Sequence, residues 1–371
     1  METTATIAVL GGGQLGRMLG LAGIPLGIGF RFLDPSPEAP AAAVGNLVVG
    51  ALDDEAALSE AASGADVVTY EWEGVPADSA RFLSRSWPVH PGDRSLEVSQ
   101  DRLTEKDTFR ALGIQTPEYL AVESRASLEA AVAELGLPAV LKTRRGGYDG
   151  KGQAVLRSTD DLDRAWDSLG GVPLILEAFV PFDRELSVVA VRALDGTIAC
   201  WPVVENEHRN GILHLTRAPA PHLHHDTARR AIEIATALLT ELDHVGVLAI
   251  ELFDVKGELL ANEFAPRVHN SGHWTIEGAV TSQFENHVRA VLGLPLGSTD
   301  ARGVSAMLNC VGTMPDTNAV LAVPGAHLHD YGKSPRAGRK LGHVTVVADN
   351  AHDLDARLAA LTPALGVTAL P

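Results

Sequence analysis

The chain has 371 residues, enough for two or three domains, and a hydrophobic content of 46% that supports large cores. Its formal net charge of −17 argues against nucleic acid and anionic membranes as partners, while leaving room for local basic pockets. Cys200 and Cys310 form no Cys-x-x-Cys pattern and suggest neither a disulfide framework nor a zinc site; with no signal-like segment at residue 1 and no apolar run long enough to span a bilayer, a cytoplasmic setting is expected.

In chain order, strand and helix signals alternate over residues 6–10, 14–23, 28–33, 53–62 and 66–69, the βαβ pattern of a parallel sheet. Gly11-Gly-Gly-Gln-Leu-Gly16 follows the first strand and Asp34 ends the second, which fits a dinucleotide fingerprint. The same turn serves any phosphate or ribose at a helix N-terminus, so alone it is weak support for a dehydrogenase. Pro88 and Pro91-Gly92 punctuate the end of this unit.

A helix over 102–112, stopped by Gly113 and Pro117, opens a second unit. Leu137 to Leu141 reads as an apolar strand ending in Lys142, followed by a loop with glycines at 146, 147, 150 and 152. Glycine lets a backbone approach a ligand and aim successive N–H groups at it, and lysine adds a point charge, so the segment suits polyphosphate. It is not a Walker loop, because no Gly-Lys-Ser/Thr opens a helix. Leu174 to Val180 is an apolar strand running into a turn that can present backbone groups to an adenine, and Glu185 opens the next strand within reach of ribose hydroxyls. His222-Leu-His224-His225 reads as a solvated loop before a helix over 226–242 capped by Asp226.

Residues 248–264 read as two strands joined at Lys256-Gly257, each carrying a carboxylate, Glu251 or Glu263, in an apolar run. An unpaired buried carboxylate is costly, so each needs a cation or strong donors; two on one sheet face beside a phosphate loop form a Mg²⁺ site. A strict two-residue turn sets Glu251 opposite Asn262 and the carboxylates on opposite faces, whereas a three- or five-residue loop, or a bulge, unites them. Arg267, His269 and Asn270 follow directly and suit anion binding and proton transfer. A helix over 281–292, a linker at Pro295, Gly297 and Ser298, strands over 304–310 and 343–348, and a helix over 351–361 complete the chain. The run Lys333-Ser-Pro-Arg-Ala-Gly-Arg339-Lys340 is a basic patch in an acidic protein.

Five segments, in this order, carry a resemblance. Gly-Gly-Gly-Gln-Leu-Gly-Arg-Met (11–18), Gly-Gly-Tyr-Asp-Gly-Lys-Gly-Gln (146–153), Asn-Glu-Phe-Ala-Pro-Arg-Val-His-Asn-Ser-Gly-His-Trp (262–274), Thr-Ser-Gln-Phe-Glu (281–285) and Gly-Arg-Lys-Leu-Gly-His-Val (338–344) resemble the N5-carboxyaminoimidazole ribonucleotide synthetases, ATP-grasp ligases of purine biosynthesis. The resemblance runs from about residue 7 to 347 and implies an α/β and α+β fold: a Rossmann-like N-terminal domain (1–100), an ATP-grasp central domain (101–295) and a small β-rich C-terminal domain (296–371). It implies ATP- and bicarbonate-dependent carboxylation of 5-aminoimidazole ribonucleotide, with Mg²⁺ or Mn²⁺, in a homodimer whose other partners are small molecules.

Carried over by position, Arg102, Lys142, Gly147, Tyr148, Asp149, Gly150, Lys151, Gly152, Gln153, Glu177, Ala178, Phe179, Val180, Glu185, His208, Asn262 and Glu263 contact ATP, and Glu251 and Glu263 hold the metal. Tyr148, Asp149, Lys151, Arg267 and His269 are the catalytic group, and Gln14, Leu15, Glu73, Asn270, Lys333 and Arg339 seat the ribonucleotide. Either His269 or Asp149 takes the proton lost from the amine. One departure is visible: Tyr70-Glu-Trp-Glu-Gly74 stands where Tyr-Glu-Phe-Glu-Asn is expected, leaving the contact at Gly74 open. Other acyl-phosphate ATP-grasp ligases and a non-catalytic nucleotide sensor are the rival readings; the paired Glu251 and Glu263 speak against the sensor.

Overall fold

The computed structural model describes residues 5–147 and 150–364. Its N-terminal unit is a four-stranded parallel sheet in the order Asn46–Val49, Ile28–Asp34, Ala5–Leu10, Val67–Tyr70. Alternation along Ala5–Leu10 builds both of its faces. Ile7 and Val9 join Phe30 and Phe32 beneath the helix Gln14–Gly23, while Ala8 and Leu10 join Leu33 and Val68 beneath Glu55–Ala62.

The glycine turn of this unit is already filled. Gly13 and Gly16 N–H donate to the two oxygens of Glu71 at 2.8 and 2.9 Å, and Gly12 N–H donates to Asp34 at 2.8 Å. A Cβ at position 13 would lie 2.7 Å from a Glu71 oxygen, so the glycine is required by the close approach of that carboxylate. Glu71 thus sits where a dinucleotide pyrophosphate would bind, and the fingerprint is a structural turn.

Two antiparallel sheets follow. The smaller has the order Tyr119–Val122, Leu174–Ala178, Ala139–Thr143, Gln153–Leu156, with Arg125–Leu135 and Asp161–Leu169 packed against it. The larger runs Glu258–Ala265, Gly246–Val255, Arg184–Arg192, Val204–Arg209, Ile212–Ala218, Val304–Val311, Lys340–Ala348, Ala326–Asp330, with Ile198–Cys200 paired to Arg184–Arg192. Its last three strands come from the C-terminal region and join through Leu215 opposite Leu308 and Thr216 opposite Met307. The C-terminal region is β-rich, as expected, but continues the central sheet across the segment read as a linker. That segment is itself tied down: Asn286 bonds Gly297 in both directions, at 2.8 and 3.1 Å.

One cap differs from expectation. The helix His225–Glu241 is capped by His224, whose Nδ1 accepts the Asp226 N–H, so Asp226 lies inside the first turn and not at the cap. Imidazole nitrogen serves the orphan donor as a carboxylate would.

Replacing Glu71 with Leu leaves two buried helix-start N–H groups without acceptors. It should lower unfolding stability by about 2–6 kcal/mol at 1–3 kcal/mol per group. Urea unfolding measures this, and unchanged stability would mean that the turn does not need the carboxylate.

Candidate active site

A cleft of about 1320 Å³ opens where the three regions meet. Of the described site residues expected from sequence, all line it except Gly152, which packs against Thr143 behind the loop. Tyr148 and Asp149 lie outside the described residues.

The floor is the strand pair Gly246–Val255 and Glu258–Ala265. Lys256 and Gly257 form a two-residue turn with φ of 53° and 90°, the left-handed pair that hairpins of this length favour. Left regular, the turn would set Glu251 against Asn262. Instead the register shifts after Glu251: Leu252 faces Ala261, but Glu251 faces Glu263. Asn262 is the extra residue of a β-bulge, which brings both carboxylates to one face. Burial first, then the Glu263 charge, push the Glu251 carboxyl up to about 7. The Asn262 Oδ1 is buried without a hydrogen-bond partner. Among the described residues no group of three or more His, Cys, Asp or Glu side chains completes a metal cage. Two facing carboxylates and an unsatisfied amide oxygen fit a hard divalent cation that takes its remaining ligands from water or phosphate.

Positive charge surrounds this floor. Arg102 Nη2 lies 3.6 Å from Glu263. It is held there because Asp101 caps its helix through the Leu103 and Thr104 N–H groups and also binds Arg144 at 2.9 Å. Lys142 donates to Glu177 at 2.9 Å, and Lys106 lies 3.6 Å from the same oxygen. Burial alone would raise the Glu177 carboxyl, but Lys106 and Lys142 outweigh it and hold it down at about 2. His208 bonds Glu185 at 2.9 Å; burial opposes its protonation, but Glu185 and Glu251 raise it above the ordinary imidazole value. Val140, Val155, Phe179 and Phe182 supply an apolar wall, with Phe182 stacked on Phe253.

The other end of the cleft is built by the segment after Glu263 together with the outer regions. His269 Nε2 lies 3.6 Å from Glu251, while Nδ1 is bonded to Ser271 at 2.8 Å. Gln283 locks the His269 backbone from both sides, at 2.9 and 2.6 Å. Burial, then the Arg267 charge, hold the His269 imidazole well below its ordinary value, so it is neutral. Arg267 pairs with Glu73 from the N-terminal unit, and Asn270 exchanges bonds with Asn309 at 2.7 and 3.1 Å. Lys333 reaches Gln14; burial, then Arg339, lower its ammonium to about 8. Arg339 braces its own loop at the Ser334 carbonyl, 3.1 Å away. At Gly74 the Trp72 ring lies over the backbone, and a Cβ there would come within 2.4 Å of the indole.

Glu71, Glu105, Lys106 and Gln283 escaped the sequence reading. For two of them a signal exists. Arg102, Glu105, Lys106 and Phe109 recur at helical spacing on one face, and an adjacent Glu and Lys on a stripe shared with Phe109 is the mark of a buried charge pair.

The fold and cleft define an ATP-grasp enzyme. Family models agree over most of the chain: a ribonucleotide synthetase preATP-grasp domain over residues 4–100, an ATP-grasp domain over 107–284 and a phosphoribosylaminoimidazole carboxylase C-terminal domain over 305–357. The N5-carboxyaminoimidazole ribonucleotide synthase of Pseudomonas aeruginosa is 54% identical, covering 95% of this chain and 97% of its own. The crystal structure of the synthetase from Thermus thermophilus is 55% identical, with a TM-score of 0.94 over 98% of this chain and 99% of that one. That of the Aspergillus clavatus synthase with ADP and 5-aminoimidazole ribonucleotide is 31% identical, with a TM-score of 0.92 over 99% and 100%. The chain belongs to the N5-carboxyaminoimidazole ribonucleotide synthase family.

The depressed Glu177 carboxyl carries a pH signature. Its folded value of about 2 lies below the ordinary 4.5, so protonation favours the unfolded chain. The contribution is complete above 4.5 and is lost as pH falls toward 2. Glu177→Gln should cost on the order of 3 kcal/mol at neutral pH, with the gap to wild type closing through that acid window. Urea unfolding as a function of pH tests it; a gap independent of pH would sink the assignment.

Proposed function

We propose that the chain carboxylates 5-aminoimidazole ribonucleotide at the N5 amine, using ATP and bicarbonate through carboxyphosphate, in de novo purine synthesis. The observation that carries this reading is the convergence, in one cleft, of the Glu251–Glu263 face beneath a lysine- and glycine-bearing loop with Arg267, His269 and the Gln14–Lys333 pair. A nucleotide sensor would need the first half of that cleft and not the second.

In this reading Lys142, Arg102 and the loop through Gly147, Gly150, Lys151 and Gln153 hold the phosphates. The Val140 and Phe179 wall, with the backbone of Ala178 and Val180, receives the adenine, and Glu185 and His208 meet the ribose. Glu251, Asn262 and Glu263 hold Mg²⁺, or Mn²⁺, which when bound neutralises charge on the phosphoryl oxygens. Arg267 orients bicarbonate for attack on the γ-phosphorus. The P–O bond to ADP breaks as the bond to the bicarbonate oxygen forms. The ribonucleotide amine then takes the carboxyl carbon as phosphate leaves, and its proton passes to a base. His269, fixed in place by Gln283 and Ser271, is one candidate acceptor, with burial lowering its basicity; Asp149 is the alternative. Lys333, Arg339 and Gln14 hold the ribonucleotide phosphate end. A homodimer in the cytoplasm belongs to the same reading; sedimentation velocity checks the dimer.

The direct test is product analysis after mixing the protein with ATP, ¹³C-bicarbonate and 5-aminoimidazole ribonucleotide. ADP and a labelled carbamate should form only when all three are present; ADP formation independent of the ribonucleotide would overturn the reading. Arg339→Ala should raise the ribonucleotide KM roughly 10- to 100-fold, the loss of one charged hydrogen bond, with little change in the KM for ATP. Lys142→Met should do the opposite, weakening ATP and slowing phosphoryl transfer together. Unchanged ATP affinity by calorimetry would remove Lys142 from the phosphates.

A further inference from the structure

The bulge beneath the cation face has its own support. Glu258–Ala265 is the edge strand of the large sheet, so one side of its backbone has no strand neighbour. The helix Arg102–Ala111 and the loop after it cover that side. Gln115 accepts the Ala261 N–H at 2.8 Å. Lys106, 1% exposed, donates to the Ala261 carbonyl at 3.2 Å and to the Asn262 carbonyl at 2.6 Å. Glu105, 2% exposed, accepts the Phe264 N–H at 2.7 Å.

The pair of carbonyls is the informative part. In a regular strand successive carbonyls point to opposite sides of the chain, so one ammonium cannot reach two neighbours. At a bulge they turn the same way. Lys106 therefore matches the bulged backbone and not the regular one, and it does so at the extra residue itself. Glu105 grips the far side of the same step, beyond Glu263. Together the two side chains bracket Asn262 and Glu263.

We propose that Glu105 and Lys106 are positioning residues that lock the bulge, so that Asn262 and Glu263 both face Glu251 and the cation site has its shape. This rests on the reading of Glu251 and Glu263 as cation ligands. Neither Glu105 nor Lys106 needs to touch the cation. Removal of the Lys106 ammonium orphans two carbonyls and frees the strand to slip toward the regular register, which turns Glu263 away.

The test compares ADP affinity by calorimetry with and without Mn²⁺. The ratio of the two dissociation constants isolates the cation and divides out changes in nucleotide contacts. Wild type and Glu105→Gln, which keeps the acceptor oxygen, should show a large ratio. Lys106→Met and Glu105→Met should lose roughly 10- to 100-fold of it, the usual effect of removing a support behind a metal ligand. Thermal unfolding confirms that each variant is folded; if Lys106→Met is not, the Glu105→Met and Glu105→Gln pair decides. A wild-type ratio in a folded Lys106→Met or Glu105→Met overturns the proposal, as does an equal loss in Glu105→Gln. Glu263→Gln separates the two readings. If its ratio is intact, the cation assignment itself fails; if its ratio falls while the other variants keep theirs, only the clamp fails.

Discussion

Two carboxylates that face each other across a strand pair repel, and the structure around them follows from that. Glu251 and Glu263 are brought together by one extra residue, Asn262, and the strain of like charges is answered from every side. Arg102 approaches Glu263, Glu185 and Glu251 raise the His208 imidazole above its ordinary value, and Lys106 and Lys142 share Glu177 next door. Arg102 and Lys106 sit on one helix, Lys142 on the small sheet and His208 on the large one, so the field at the centre depends on all three keeping their places. A protein of net charge −17 thus sets basic groups around two glutamates that face each other across a strand pair.

The N-terminal unit shows how the same chemistry closes a site. A glycine turn at a helix start attracts anions, and Glu71 from the neighbouring strand end meets that demand internally. Burial raises the Glu71 carboxyl above its ordinary value and Asp34 adds to this, while the two N–H bonds and the Arg267 charge act against it. The domain keeps the shape of a nucleotide binder without an open pyrophosphate site. What it contributes to the cleft is its edge: Gln14, Leu15, Trp72 and Glu73.

Much of this was legible in the residues. The helices Gln14–Gly23 and Ala351–Leu361 fall where periodicity and capping put them. Glu251 and Glu263 announced themselves as charges in apolar runs. The bulge was one of several ways to unite them, because sequence carries the polarity of a strand but not the register against its partner. Glu71 could not be read as a plug, since its partners at Gly13 and Gly16 meet it only through the packing of parallel strands. The continuity of the large sheet was hidden for the same reason: Ile212–Ala218 and Val304–Val311 pair across a long separation, and the glycine and proline between them look like a boundary. The cap lies at His224, two residues before the expected Asp226, which is within the usual resolution of such signals.

The packing of Trp72 over Gly74 has a consequence for substitution at both positions. The indole occupies the volume that any side chain at position 74 would claim, so the two positions are no longer independent letters. A side chain placed at position 74 would first meet the ring, which must turn or be replaced to admit it. Glycine at 74 and the half-exposed tryptophan at 72 are thus coupled choices at the rim of the cleft.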